Sequence, residues 1–181
     1  MPRIFLALTL EKDLNDRIIQ IKKELKSGEL VDANISWIKN NRHHLTVYFV
    51  GEMEPEQISQ MCEDIGKINL TGISRSIDIT AISFFPNEDS QLLSALVKPN
   101  SHLQGLHEEI KNIVVNIGLG SDLKAYRPHI TLGRFKEKNR PQYEFQMFDE
   151  SLNGKFKKLD VLESEFSDGK TEYSLLKSFE L

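Results

Sequence analysis

The sequence predicts an α+β fold, built as a pseudo-twofold pair of βα-rich lobes with mainly antiparallel sheets and a central cleft. Three observations predict it. Short apolar runs of strand character are interleaved with amphipathic helical stretches without strict alternation, and the last two strands are close enough to form a hairpin. A tetrapeptide His-x-Thr-x, with x aliphatic, occurs twice, at His44-Leu45-Thr46-Val47 and His129-Ile130-Thr131-Leu132. A strand, an amphipathic helix and a loop precede each copy. The two histidines are 129 − 44 = 85 residues apart, and moving Leu8 by the same step lands on Leu93, in the strand that opens the second unit. Such long-period similarity marks a duplicated unit; two copies make paired lobes and not a solenoid. All 181 residues are taken as one bilobal domain.

The elements follow in order. Ile4 to Leu10 is a buried first strand, too short and too soon followed by Glu11-Lys12-Asp13 to be a signal peptide. Leu14, Ile18, Ile21 and Leu25 give a helical stripe, stopped near Gly28. Residues 29 to 34 form a loop, Ile35 to Ile38 a short strand, Asn40-Asn41 a turn, and His44 to Val50 the first motif strand, ended by Gly51. Pro55 opens a second helix, where a missing N–H costs nothing, and Ile58, Met61, Cys62, Ile65 and Ile68 are its apolar side. An alternating strand from Ile73 to Ala81, a turn at Pro86 to Asp89 and a strand from Leu92 to Val97 come next. The third helix carries Leu103, Leu106, Ile110, Ile113, Val114 and Ile117 and ends at Gly118. Tyr126 to Phe135 is the second motif strand. After a loosely patterned stretch, strands around Leu159 to Phe166 and Tyr173 to Leu181 are joined by a turn at Ser167-Asp168-Gly169.

The totals exclude several classes. A net charge of −4 argues against coating long nucleic acid through bulk charge, though not against a local basic groove. The single cysteine, Cys62, excludes an internal disulfide and is expected to be a small buried hydrophobe. No run approaches the roughly 20 apolar residues of a membrane helix, so no membrane partner is expected and the cytoplasm is the expected location.

Residues i and i+2 of a strand share a face. His44 and Thr46 therefore point one way, as do His129 and Thr131, while their aliphatic neighbours point into a core. The two pairs are expected to oppose one another across the cleft. An imidazole titrates near neutrality, so one histidine can be neutral and accept a proton while the other is charged and donates one. The threonine hydroxyls can donate to phosphate oxygens. This is an apparatus for in-line cleavage of a phosphodiester without a metal or cofactor. Two histidines are too few for a catalytic zinc site, which takes three protein ligands. His43 points away from His44, and His102 and His107 lie on a helix; all three are read as structural.

The paired motifs, the opening Arg3-Ile4-Phe5-Leu6-Ala7-Leu8, the continuation Leu45-Thr46-Val47-Tyr48-Phe49-Val50-Gly51, and Arg127-Pro128-His129-Ile130-Thr131-Leu132 together resemble the 2H phosphoesterase superfamily. Within it the sequence is most similar to the RNA 2′,3′-cyclic phosphodiesterase group, also called LigT-like 2′-5′ RNA ligases. The resemblance implies hydrolysis of RNA ends or nucleotides carrying a 2′,3′-cyclic phosphate to 2′-phosphomonoesters. It implies that His44 protonates the leaving 3′ oxygen, that His129 activates water, and that Thr46 and Thr131 orient the phosphate. It also implies ligand roles five residues past each histidine, for Phe49 in stacking a base and for Arg134. Strict strand parity places those two on the face opposite the histidines unless the strands bulge. Arg127 is a further candidate for phosphate or RNA. Lys136, Lys138 and Arg140 are either a basic lip for an RNA tail or a solvated loop, and the solvated loop is the plainer reading. A monomer is expected. The rival readings are the same chemistry on small cyclic nucleotides, ADP-ribose cyclic phosphate or 2′-5′ oligonucleotides, and a nucleotide-binding module without turnover.

Overall fold

A computed structural model describes residues 2–120, 125–136, 146–167 and 170–181, with the side chains of 146, 147, 149, 150, 167 and 170 left aside. Lys138, Arg140 and the Asp168-Gly169 turn fall outside these ranges. The described elements are β1 (Arg3–Leu10), α1 (Lys12–Ser27), β2 (Ile35–Trp37), β3 (His44–Glu52), α2 (Pro55–Ile65), β4 (Ser76–Phe85), β5 (Leu92–Val97), α3 (Ser101–Asn116), β6 (His129–Phe135), β7 (Gln146–Ser167) and β8 (Lys170–Glu180). The α+β class with antiparallel pairing is what the patterning predicted. Strand order runs β1-β3-β6-β5-β4-β7-β8, with β2 on β6 and a further β1–β7 pairing.

Two departures from the sequence pattern matter. The alternating stretch from Ile73 does not pair until Ser76, because Leu70–Gly72 turns as a 3-10 helix. The loosely patterned tail contains the first half of β7, which pairs with β4 between residues 146 and 155 and with β1 from Phe156 onward. That strand serves two neighbours in succession, so no single alternation runs through it.

The strands fall into two similar sets. β3, β1 and the second half of β7 lie side by side, as do β6, β5 and β4. In each set a strand–helix–strand passage supplies the first two, β1-α1-β3 and β5-α3-β6. The sets join where β3 meets β6 at the pair Leu45↔Ile130. The pairing corrects the sequence offset for the opening strands: Leu8 lies opposite Leu45, and Ala95 opposite Ile130, so Leu8 corresponds to Ala95 and not to Leu93. The histidines keep the 85-residue step, and the opening strands are 95 − 8 = 87 apart.

The core lies on the side away from the histidines. Leu45, Val47, Ile130 and Leu132 are buried together with Leu103, Leu106, Ile110 and Val114 of α3. His107, on α3, is buried, donates a 2.8 Å hydrogen bond from Nδ1 to the Val47 carbonyl and stacks on Tyr126 at 4.4 Å. It is structural, as expected, but fully inside. His102 is exposed in the first turn of α3. Cys62 is half-buried at the edge of the core.

The stripe on α1 holds one surprise: Leu14, Ile18 and Leu25 are buried with Lys22, not with Ile21. Lys22 bonds the Ile38 carbonyl, Asn40 Oδ1 at 3.1 Å and His43 Nε2 at 2.9 Å. His43 Nδ1 in turn meets Asn15 Oδ1 at 2.8 Å. An ammonium has three N–H donors, and all three are used here.

Where β3 leaves β6, β2 takes its place, pairing Trp37 with Gly133. A Cβ at Gly133 would sit 2.7 Å from Ile35 Cγ2, 3.3 Å from the Ser36 carbonyl and 3.4 Å from Trp37 Cα. Two of those neighbours are backbone and cannot rotate aside. Gly133→Ala is expected to destabilise the fold by about 1–3 kcal/mol, read as a lower urea midpoint; an unchanged midpoint would show that β2 is not held this closely.

Candidate active site

The single register pair Leu45↔Ile130 fixes the geometry of both motifs. One residue either way along this antiparallel register, His44 stands beside Thr131 and Thr46 beside His129. The four side chains share one face, since alternate residues do. All four are partly exposed, while Leu45, Val47, Ile130 and Leu132 are buried. The expected opposition of two pairs thus takes the form of a patch across neighbouring strands, in which each imidazole neighbours the other motif's threonine.

The two imidazoles are anchored alike. His44 Nδ1 bonds the Arg42 carbonyl at 2.9 Å, and His129 Nδ1 bonds the Arg127 carbonyl at 2.9 Å. A carbonyl only accepts, so in the neutral ring Nδ1 carries the hydrogen and Nε2 keeps its lone pair. Burial lowers the pKa of both, partly offset in each by the carbonyl bond. The two are close enough that charge on His44 further lowers His129.

Each ring is also held by aromatics. Phe85 stacks on His129 with centroids 3.6 Å apart, and Arg127 lies over Phe85 at 5.0 Å while donating to the Pro86 carbonyl. Tyr173 meets His44 edge-on at 5.6 Å, Phe5 lies 5.4 Å from it, and Arg42 lies over Tyr173 at 5.9 Å. The arrangement Arg–aromatic–His therefore occurs twice. Arg127 was singled out from the sequence for phosphate; its guanidinium here sits on the aromatic ring behind His129.

The parity conflict over Phe49 and Arg134 is resolved by two bulges. Leu6 pairs with Tyr48 and Ala7 with Thr46, which leaves Val47 unpaired. Leu93 pairs with Gly133 and Ser94 with Thr131, which leaves Leu132 unpaired. An extra residue reverses the alternation beyond it. Phe49 and Arg134 are thereby returned to the histidine face, and both are exposed. The bulges are themselves equivalent, at 132 − 47 = 85. Phe49 packs on Phe5 at 5.8 Å. Lys136 is exposed, with its backbone N–H on the Asn34 carbonyl. Among the described residues, no group of three or more His, Cys, Asp or Glu side chains converges as a metal site would, and no helix is long and apolar enough to cross a membrane.

Comparison with known proteins bears on the fold and on the stretch that carries the first motif. The model of the family described as LigT-like phosphoesterase matches residues 8–92, which include the first motif. A Thermotoga maritima protein named RNA 2′,3′-cyclic phosphodiesterase is 27% identical over 136 residues, covering 74% of this chain and 70% of the relative. A Methanocaldococcus jannaschii protein of the same name is 25% identical over 134 residues, covering 74% and 72%. The fold matches E. coli LigT, solved in complex with 3′-AMP, with a TM-score of 0.80 over 100% of this chain and 99% of that one, at 19% identity. Over residues 8–92 the chain is similar to the LigT-like phosphoesterases, and over about three quarters of its length to proteins named RNA 2′,3′-cyclic phosphodiesterase. A Thermus thermophilus structure matches similarly, with a TM-score of 0.81 at 20% identity over 99% and 97% of the two chains.

The sequence pattern did not reveal three residues that touch the histidines: Arg42, Phe85 and Tyr173. Arg42 was within reach, since 127 − 42 = 85 repeats the motif spacing. Phe85 and Tyr173 carried no local signal, because they arrive from strands distant in sequence.

Proposed function

We propose that this chain, acting as a single bilobal monomer, hydrolyses RNA 2′,3′-cyclic phosphate ends to 2′-phosphomonoesters without a metal. The observation that carries the reading is the pair of carbonyl-anchored imidazoles, each with Nε2 left for a substrate and each beside a threonine hydroxyl. Water attacks phosphorus, giving its proton to His129 Nε2 as the new P–O bond forms. The P–O3′ bond breaks, and His44 Nε2–H protonates the departing oxygen. Thr46 and Thr131 donate to the non-bridging oxygens. Phe49 offers a stacking surface for a base, and Arg134 a charge for phosphate, on the same face. Arg127 acts on the phosphate through His129: its carbonyl anchors the ring, and its guanidinium lies over Phe85, which stacks on that ring. The names of the relatives and the 3′-AMP complex of E. coli LigT support a nucleotide ligand.

Incubation with a 2′,3′-cyclic mononucleotide and a cyclic-ended oligonucleotide tests this. The 2′-phosphate should accumulate from both. Exclusive formation of the 3′-phosphate would refute the assigned direction of cleavage, and tight binding with no turnover would replace it with a nucleotide-binding role.

A further inference from the structure

The two halves of the site match closely in their anchoring, yet the proposed reaction needs the two histidines to differ. The difference lies two strands away. Ala7, opposite Thr46, pairs on its other side with Asp160. The corresponding residue Ser94, opposite Thr131, pairs with Ser83. A carboxylate thus stands in one half where a buried serine stands in the other. Both carboxylate oxygens are held: Thr9 donates to Oδ2 and Ser178 to Oδ1. Thr9 is the direct partner of His44. Its counterpart beside His129 is Leu96, which offers no hydroxyl.

We propose that Asp160 is the positioning residue that makes His44 the proton donor and leaves His129 as the base. Two hydroxyl donors orient the carboxylate without neutralising it, so its charge favours an imidazolium at His44. The other charged and titratable groups around His44 are accounted for. Arg42 lies over Tyr173 with Glu172 at 3.8 Å. Lys158, across Thr9 in the same row as His44, is paired with Glu180 at 2.9 Å, whereas Asp160 stands in the row of Thr46. His43 faces inward to Lys22. His129 approaches from β6. Asp160 acts against the effect of burial at His44, whereas the charges of Arg127 and His44 add to it at His129.

The inference rests on the two-histidine reading above, and its test is read without turnover. Histidine ring resonances, assigned with His44→Gln and His129→Gln variants, are followed by NMR against pH. In the unmodified protein His44 should titrate above His129. Asp160→Asn should lower the His44 value by at least about half a pH unit and move His129 less. Should that variant fail to fold, Thr9→Val and Ser178→Ala, which release the carboxylate from its place, carry the same expectation with a smaller shift. His44 titrating at or below His129, or an unmoved His44 in the variants, would overturn the role of Asp160. In kcat/KM on a 2′,3′-cyclic mononucleotide, the alkaline limb should draw in and the acid limb stay. A protein inactive on every cyclic phosphate would refute the functional reading, while the titration would still decide about Asp160.

Discussion

Replacing either His44 or His129 by alanine is expected to abolish hydrolysis of a 2′,3′-cyclic phosphate, while a chelator leaves the rate unchanged. Each proton transfer by a positioned side chain contributes about 10²–10⁴-fold. Neither imidazole has a substitute of the same kind, since His43 is committed to Lys22 and Asn15, and His107 to the Val47 carbonyl. The losses should not add, because both transfers serve one transition state. The pH dependence follows from the site. In the proposed mechanism the active form has one imidazole protonated and one neutral, so kcat/KM is expected to be bell-shaped. Burial lowers both pKa values, which moves the bell to the acid side of the ordinary imidazole value of about 6.5. Full activity in either alanine variant would sink the mechanism, as would an optimum above about pH 8.

Lys22→Met should cost more stability than replacement of any other charged residue on α1, because Lys22 is the buried one. It keeps an unbranched apolar stem but leaves the Ile38 carbonyl, Asn40 Oδ1 and His43 Nε2 without their donor. A buried acceptor stripped of its partner costs about 1–3 kcal/mol. With three acceptors partly rescued by water, a total of about 3 kcal/mol is expected, or a Tm lower by roughly 6–12 °C. A companion effect appears with pH. Burial, then the charge of Lys22, then that of His44 push the His43 pKa down to about 3. The unfolded chain takes up a proton near 6.5, which the folded protein refuses until about pH 3. The unfolded state therefore binds more protons in that window, and stability falls as pH drops through it. His43→Gln should flatten this part of the stability–pH curve relative to the unmodified protein. An equal slope in both would show that acid unfolding has another source. The segment at stake carries Arg42, whose carbonyl anchors His44, so the network ties α1 to the site.

Much of the site was legible because its signal is local. His-x-Thr-x in a strand places two side chains on one face by backbone geometry alone, and its repetition marked the two halves. Amphipathic stripes placed the three helices for the same reason. Pro55 at the start of α2 is likewise a local signal. Lys22 misled because a stripe is read from hydrophobicity, whereas its burial depends on three acceptors brought by a loop and a strand start.

By itself, then, the sequence determined the α+β class, the duplication, and the identity and shared face of His44, Thr46, His129 and Thr131. Only the tertiary structure decided that the two motifs meet at one register pair, and that unpaired Val47 and Leu132 return Phe49 and Arg134 to the histidine face. It alone brought Phe85, Tyr173 and Asp160 to the histidines. The physical reason is that a bulge is a property of two strands in register and not of one. A neighbour 160 − 44 = 116 residues away leaves no period in the chain that it approaches.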